Sequence, residues 1–485
     1  PGAVATITLT TPVNGAVANG ADSNSVQAVV SDSEGNAVAG AAVVFSSANA
    51  TAQITTVIGT TGADGIATAT LTNTVAGTSN VVATIGSITN NIDTTFVAGA
   101  VATITLTAPV NGAVADGADS NHVQAVVSDS GGNSVTGATV VFSSSNATAQ
   151  ITTVIGTTGA DGIATATLTN TVAGTSNVVA TIGSITNNID TTFVPGAVAT
   201  ITLTTPVNGA VADGADSNSV QAVVSDSEGN PVAGAAVVFS SANATAQITT
   251  VIGTTGADGI ATATLTNTVA GTSNVVATID TVNANIDTTF VPGAVAAITL
   301  TTPVDGAVAD GTDSNSVQAV VTDSGGNPVT GAAVVFSSAN ATAQITTVIG
   351  TTGADGIATA TLTNTVAGTS NVVATIDTVN ANIDTTFVAG AVATITLSVP
   401  VNDATADGVD TNQVDALVQD ANGNAITGAA VVFSSTNGAD IIVPTMNTGV
   451  NGVASTLLTH TMAGTSNVIA TIDTVNANID TTFVA

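Results

Sequence analysis

GADGIATATLT, Gly62–Thr72, pairs a glycine-rich turn with a run in which Ala67, Ala69 and Leu71 alternate with Thr68, Thr70 and Thr72. Successive strand residues point to opposite faces, so this run predicts a strand with one apolar and one polar face. The same string stands at Gly159, Gly256 and Gly353, with a looser version at Gly449. Other stretches of the first copy share the period: Ala5, Ile7 and Leu9; Val26, Ala28 and Val30; Val43 and Phe45; Val81, Ala83 and Ile85; Ile92 and Phe96. Turn signals separate them at Asn14-Gly15, Asp32–Asn36, Ala39-Gly40, Gly62–Gly65 and Ala76-Gly77. Helical periodicity is absent. About seven short antiparallel strands per copy predict an all-β chain of tandem immunoglobulin-like β-sandwiches.

The whole unit recurs. Its opening, at Pro1, returns at Ala98, Pro195, Pro292 and Ala389, a spacing of 97 residues. The expected domains are 1–97, 98–194, 195–291, 292–388 and a divergent 389–485, the last having lost one residue between Phe433 and Gly452. Ala485 then stands where a sixth unit would open, so the chain reads as a stretch of a longer array or a subunit meeting the next head to tail. Copies are joined through a single Ala or Pro and a Gly, with Pro195 and Pro292 fixing φ at two junctions. The expected form is an elongated, stiff rod, about 40 Å per module and about 200 Å in all. Near-identical modules repeat a shape, whereas catalysis needs one asymmetric site, so the expectation is mechanical or display work and no enzyme.

Composition narrows the partners. The chain has no Lys or Arg against 32 Asp and Glu, where average usage would give roughly fifty basic residues. Nucleic acid and anionic lipid both require cationic side chains, and neither is expected as a partner. Ion pairs and Lys-dependent isopeptide bonds are ruled out, and without Cys there are no disulfides. Stability must come from sheet packing and hydrogen bonds around an Ala- and Val-rich core with two Phe per copy, on the order of 5 to 10 kcal/mol per module. The longest apolar runs, such as Ala37–Phe45, fall short of the roughly 20 residues that span a bilayer, so no membrane insertion is expected. The sequence shows neither an initiating Met nor a signal peptide, so any targeting sequence is expected to have been removed or to lie outside it.

The third copy carries a recognisable order of motifs: Val211-Ala212-Asp213-Gly214, Val220–Val224, Asp226–Gly234 (DSEGNPVAG), Val237–Phe239, Thr255–Leu265 (TGADGIATATL), Ala270-Gly271 and Val275–Ala277. In this it resembles the group 1 bacterial Ig-like domains of the invasin and intimin type. The match runs through all five copies, and Asp420–Asn424 (DANGN) is closer still to the family pattern. The resemblance implies an extracellular array at the bacterial cell surface, serving as the stalk of an adhesin with its binding tip elsewhere. A self-assembling filament or sheath is the alternative. Sandwich edges are usually guarded by Lys, and here Asp, Gly and Pro must serve. The expected partners are neighbouring repeats, or identical chains end to end or side by side, with no small-molecule substrate.

Few residues could carry chemistry, and no catalytic, cofactor-binding or metal residue is assigned. Asp-Gly-x-Asp-x-Asn at Asp116–Asn121, Asp213–Asn218, Asp310–Asn315 and Asp407–Asn412 offers closely spaced oxygens of the kind Ca²⁺ takes. Asn19 replaces the leading Asp in the first copy, which favours a turn-forming role and no cofactor. His122 and His460 fall at non-equivalent positions in different copies and suggest no catalytic constellation. Asn49, Asn146, Asn243 and Asn340 head formal glycosylation sequons.

Overall fold

The computed structural model describes residues 2–485; Pro1, where the first repeat opens, lies outside them. The first module contains eight strands: β1 (Thr6–Val13), β2 (Ala16–Val17), β3 (Ser23–Ser31), β4 (Val44–Ser47), β5 (Gln53–Ile58), β6 (Ile66–Thr72), β7 (Gly77–Ile85) and β8 (Ile88–Val97). They form two four-stranded sheets, ordered β1-β3-β6-β5 and β2-β8-β7-β4. No helix occurs among the described residues. The chain enters antiparallel to β3, with Ile7 opposite Val30 and Leu9 opposite Ala28. It then crosses to the second sheet, where Ala16 and Val17 pair parallel with Phe96 and Val97. Each module is an immunoglobulin-like sandwich, and five follow one another.

Alternation places the core where the sequence indicates. Ala28 and Ala67 face each other across the β3–β6 ladder, and Val26, Val30, Leu71, Val81, Ala83, Phe45 and Phe96 fill the space between the sheets. Small Ala side chains are interleaved with larger Val, Ile and Leu, and Phe45 and Phe96 are the largest side chains in this core. With no ion pair to link the sheets, buried amides do so. Asn24 on β3 is fully buried; its Nδ2 donates to the Thr95 carbonyl at 2.9 Å and its Oδ1 accepts from the Ala16 amide at 2.9 Å. Asn73, just past β6, donates to Ser79 Oγ on β7 at 3.1 Å. Buried polar groups so satisfied hold two sheets in register without a charge.

The glycine turns are shaped as the sequence requires. Gly65 sits at φ +75°, and a Cβ there would lie 2.8 Å from the Val30 carbonyl oxygen and 2.9 Å from Ala37 Cβ. No larger residue fits without moving backbone.

Two strands were not among those placed from sequence. β2 is a two-residue crossover, and β5, Gln53–Ile58, does not alternate because most of it is exposed at the sheet edge. The fifth module also departs from the others. Its counterpart of β5 is cut to Asp440–Ile441, and Thr445–Asn447 joins the other sheet beside Ala430–Ser435. Pairing of Phe433 with Ala470 and of Asp440 with Thr459 confines the lost residue to the loop between Phe433 and Asp440.

Candidate functional site at the junctions between modules

The site that recurs is the contact between one module and the next. After Ser120–Ser128, the second module's counterpart of β3, the chain turns through Asp129-Ser130-Gly131-Gly132-Asn133. Asp129 Oδ1 accepts the amides of Gly131 at 2.8 Å and Asn133 at 2.9 Å, which closes the turn. Its Oδ2 accepts the amide of Gly99, in the linker, at 2.8 Å. One carboxylate therefore shapes the turn and ties the incoming chain to it.

The turn then reaches back across the junction through Asn133. Its Oδ1 accepts the Ala76 amide at 2.8 Å, and its Nδ2 donates to the carbonyls of Thr74 at 3.1 Å and Ala18 at 3.4 Å, all in the preceding module. The same bridge forms three more times. Asn230 joins Ala173 and Thr171, Asn327 joins Ala270 and Thr268, and Asn424 joins Ala367 and Thr365. At the last junction Asn422 adds a bond to the Ala309 carbonyl at 2.9 Å. Asn133, Asn230, Asn327 and Asn424 are 5–8% exposed. Asn36, the equivalent residue in the first module, is exposed. Each junction has two attachments, the covalent linker and the Asn bridge, and two separated points oppose bending where one would act as a hinge.

The electrostatics favour the ionised carboxylate. Burial alone raises the affinity of Asp129, Asp226, Asp323 and Asp420 for a proton, but the linker and turn amides and the Asn side chain outweigh it and hold each below the usual carboxylate range. Asp32 is lowered to about 2 by the amides of Gly2 and Asn36. Sequence reasoning recognised this Asp-to-Asn segment as a turn and missed that its last residue is the bridge. The available signal was an Asn, able to donate and accept at once, at the same place in every copy.

The other candidates serve local structure. In the Asp-Gly-x-Asp-x-Asn segment, Asp116 Oδ1 accepts the amides of Ala118 and Asp119, Asp119 Oδ2 accepts that of Val114, and Asn121 joins Ala113 to Thr192. Those backbone amides lower the proton affinity of Asp116, Asp213, Asp310 and Asp407. The described residues contain no group of three or more His, Cys, Asp or Glu arranged to hold a metal. Asn49 of the first sequon spends its Nδ2 on the buried Ser79 Oγ at 3.0 Å. His122 is exposed on its strand. His460 accepts the Met462 amide at 3.1 Å and lies edge-on to Phe483.

Residues 6–97, 103–194, 200–291, 297–388 and 394–484 each match the family described as bacterial Ig-like domain (group 1). The chain belongs to that family. Bacterial Ig-like domains of this group are structural modules. A curated relative, the inverse autotransporter adhesin YeeJ of Escherichia coli K12, is 36% identical over 132 residues, which are 26% of this chain and 6% of that protein. Solved structures with similarity include invasin, a bacterial integrin-binding protein, at 23% identity over 79% of both chains with a TM-score of 0.42. The Escherichia coli adhesin FdeC is similar at 24% identity over 60% of this chain and 100% of that one, with a TM-score of 0.44.

Proposed function

We propose that these five bacterial Ig-like domains form part of the stalk of a bacterial surface adhesin, carrying a binding region away from the cell without taking part in catalysis. The observation that carries this reading is the Asn bridge, repeated at all four junctions with the same partners. A spacer must transmit length, and that requires each module to be fixed to its neighbour. The adhesin relative supports surface display. So does a surface without cations, which gives anionic lipid and nucleic acid nothing to hold.

The test is distance. In the full-length protein displayed on cells, a gold-labelled tag beyond the array should approach the cell surface by about 40 Å for each module deleted. A tag whose height ignores module number would refute the stalk.

A further inference from the structure

We propose that β5 and its counterparts form a self-docking edge, through which two copies of this chain associate side by side by antiparallel strand pairing. The proposal goes beyond the stalk reading and does not depend on it.

β5 is the outer strand of its sheet. Beyond its ladder with β6, where the Thr55 carbonyl also accepts the Thr70 hydroxyl at 3.5 Å, Gln53–Thr56 make no backbone–backbone hydrogen bond among the described residues. A register shift between Thr56 and Ile58 ends the regular ladder, leaving Val57 60% exposed beside it. Gln150–Thr153, Gln247–Thr250 and Gln344–Thr347 repeat this edge with the same sequence and pairing. An open edge rich in β-branched residues and free of Lys is a template for another strand.

Three observations identify the occupant as a second copy. First, no carboxylate occurs between Glu34 and Asp64, between Asp129 and Asp161, between Glu228 and Asp258, or between Asp323 and Asp355. Two chains that each carry a formal charge of −32 can therefore pair these strands with no like charges directly opposed. Second, laid antiparallel on itself, Gln53–Thr56 sets Gln53 opposite Thr56 and Ile54 opposite Thr55, pairs that carry no charge. Third, four identical edges recur every 97 residues, a period that an identical chain matches. A pairing segment of four residues binds weakly alone; where two chains engage several edges at once, avidity rises by about 10²–10⁴-fold.

The fifth module shows the guarded form. Asp440 stands where the others have Gln53, Pro444 stands where they have Val57, and the strand is reduced to two residues. A charge and a missing amide are two standard ways to close an edge.

The test transplants that guard. In the full chain, Gln53, Gln150, Gln247 and Gln344 are changed to Asp, and Val57, Val154, Val251 and Val348 to Pro. A control of equal charge carries Thr78, Thr175, Thr272 and Thr369, exposed on the other sheet, changed to Asp. Sedimentation velocity is run over a concentration series at physiological salt and at about 1 M salt, where the screening length falls to about 3 Å. The wild type and the control should associate, more strongly at high salt, while the guarded variant weakens association at least tenfold. Should the guarded variant misfold by circular dichroism, hydrogen exchange of the wild type decides, since β5 amides should gain protection as concentration rises. A wild type that stays monomeric at high salt, a guarded variant that associates as strongly as the control, or β5 exchange independent of concentration overturns the proposal. None of these results bears on the length of the array, so the stalk reading stands or falls separately.

Discussion

Modules one to four and module five have the same sandwich, yet they settle their buried polar groups differently. In the first module Asn73 and Asn49 both donate to Ser79 Oγ, and Ser47 Oγ donates to the Asn80 carbonyl. In the fifth, His460 replaces Asn73, and Asn437, the counterpart of Asn49, turns to the Thr465 carbonyl. Ser466 and Ser435 are left with buried hydroxyls that have no partner. An unmet buried polar group costs about 1–3 kcal/mol, so the fifth module should be the weakest of the five. A sandwich tolerates such changes because its apolar core, with Phe433, Leu458 and Phe483, is intact.

The largest expected effect tests what the modules share. Gly65→Ala and Gly452→Ala both force a side chain into positive φ against a carbonyl, 2.8 Å away in the first module and 2.9 Å in the fifth. Each should cost about 1–3 kcal/mol from strain alone, and more from the clash. Differential scanning calorimetry should show similar losses. A large difference would mean that the two turns are not equivalent.

Next come the bridging Asn residues. Asn133→Ala leaves the Ala76 amide and Thr74 carbonyl without their partner and should destabilise the first two modules by about 1–3 kcal/mol. Asn36→Ala, at the exposed equivalent, should fall within about 0.5 kcal/mol of wild type. Equal effects of the two would dissociate the bridge from junction stability.

A smaller gain is expected from repairing the fifth module. His460→Asn should restore a donor to Ser466 and raise the lowest calorimetric transition by about 1 kcal/mol, the rest of the benefit being offset by the lost contacts of the imidazole. If the lowest transition is not that of module five, or does not move, the contrast drawn from Ser466 fails.

Acid should act on all five modules in the same direction. Asp32 and its four counterparts are more acidic folded than unfolded, so their stabilisation is complete above a pH of about 4. It is lost as pH falls through the folded values, about 2 for Asp32. At physiological salt the melting temperatures should decline together below that upper limit. A rise on acidification would show that relief of repulsion among the 32 carboxylates outweighs these bonds.

The sandwich was legible because alternation and turn chemistry agree: Ala67, Ala69 and Leu71 face the core as their period requires, and Gly15, Gly35, Gly40, Gly65 and Gly77 all take positive φ. β5 was not, because an edge strand exposed on most of its positions has no alternation to detect, although the run of Ile, Thr and Val from Ile54 to Ile58 carried the β-propensity signal. The junction was half legible. Asp32–Asn36 announced a turn, but periodicity within a module contains nothing about which atoms meet the neighbouring module.

The central claim is that the Asn bridges hold successive modules in line, and small-angle X-ray scattering of the full chain beside a variant with Asn133, Asn230, Asn327 and Asn424 all changed to Ala tests it most directly. The account predicts a narrow distance distribution with a maximum near the summed module lengths, about 200 Å, for the wild type, and a shorter, broader one for the variant while circular dichroism stays unchanged. A compact wild type, or a folded variant with the same distribution as the wild type, would contradict it.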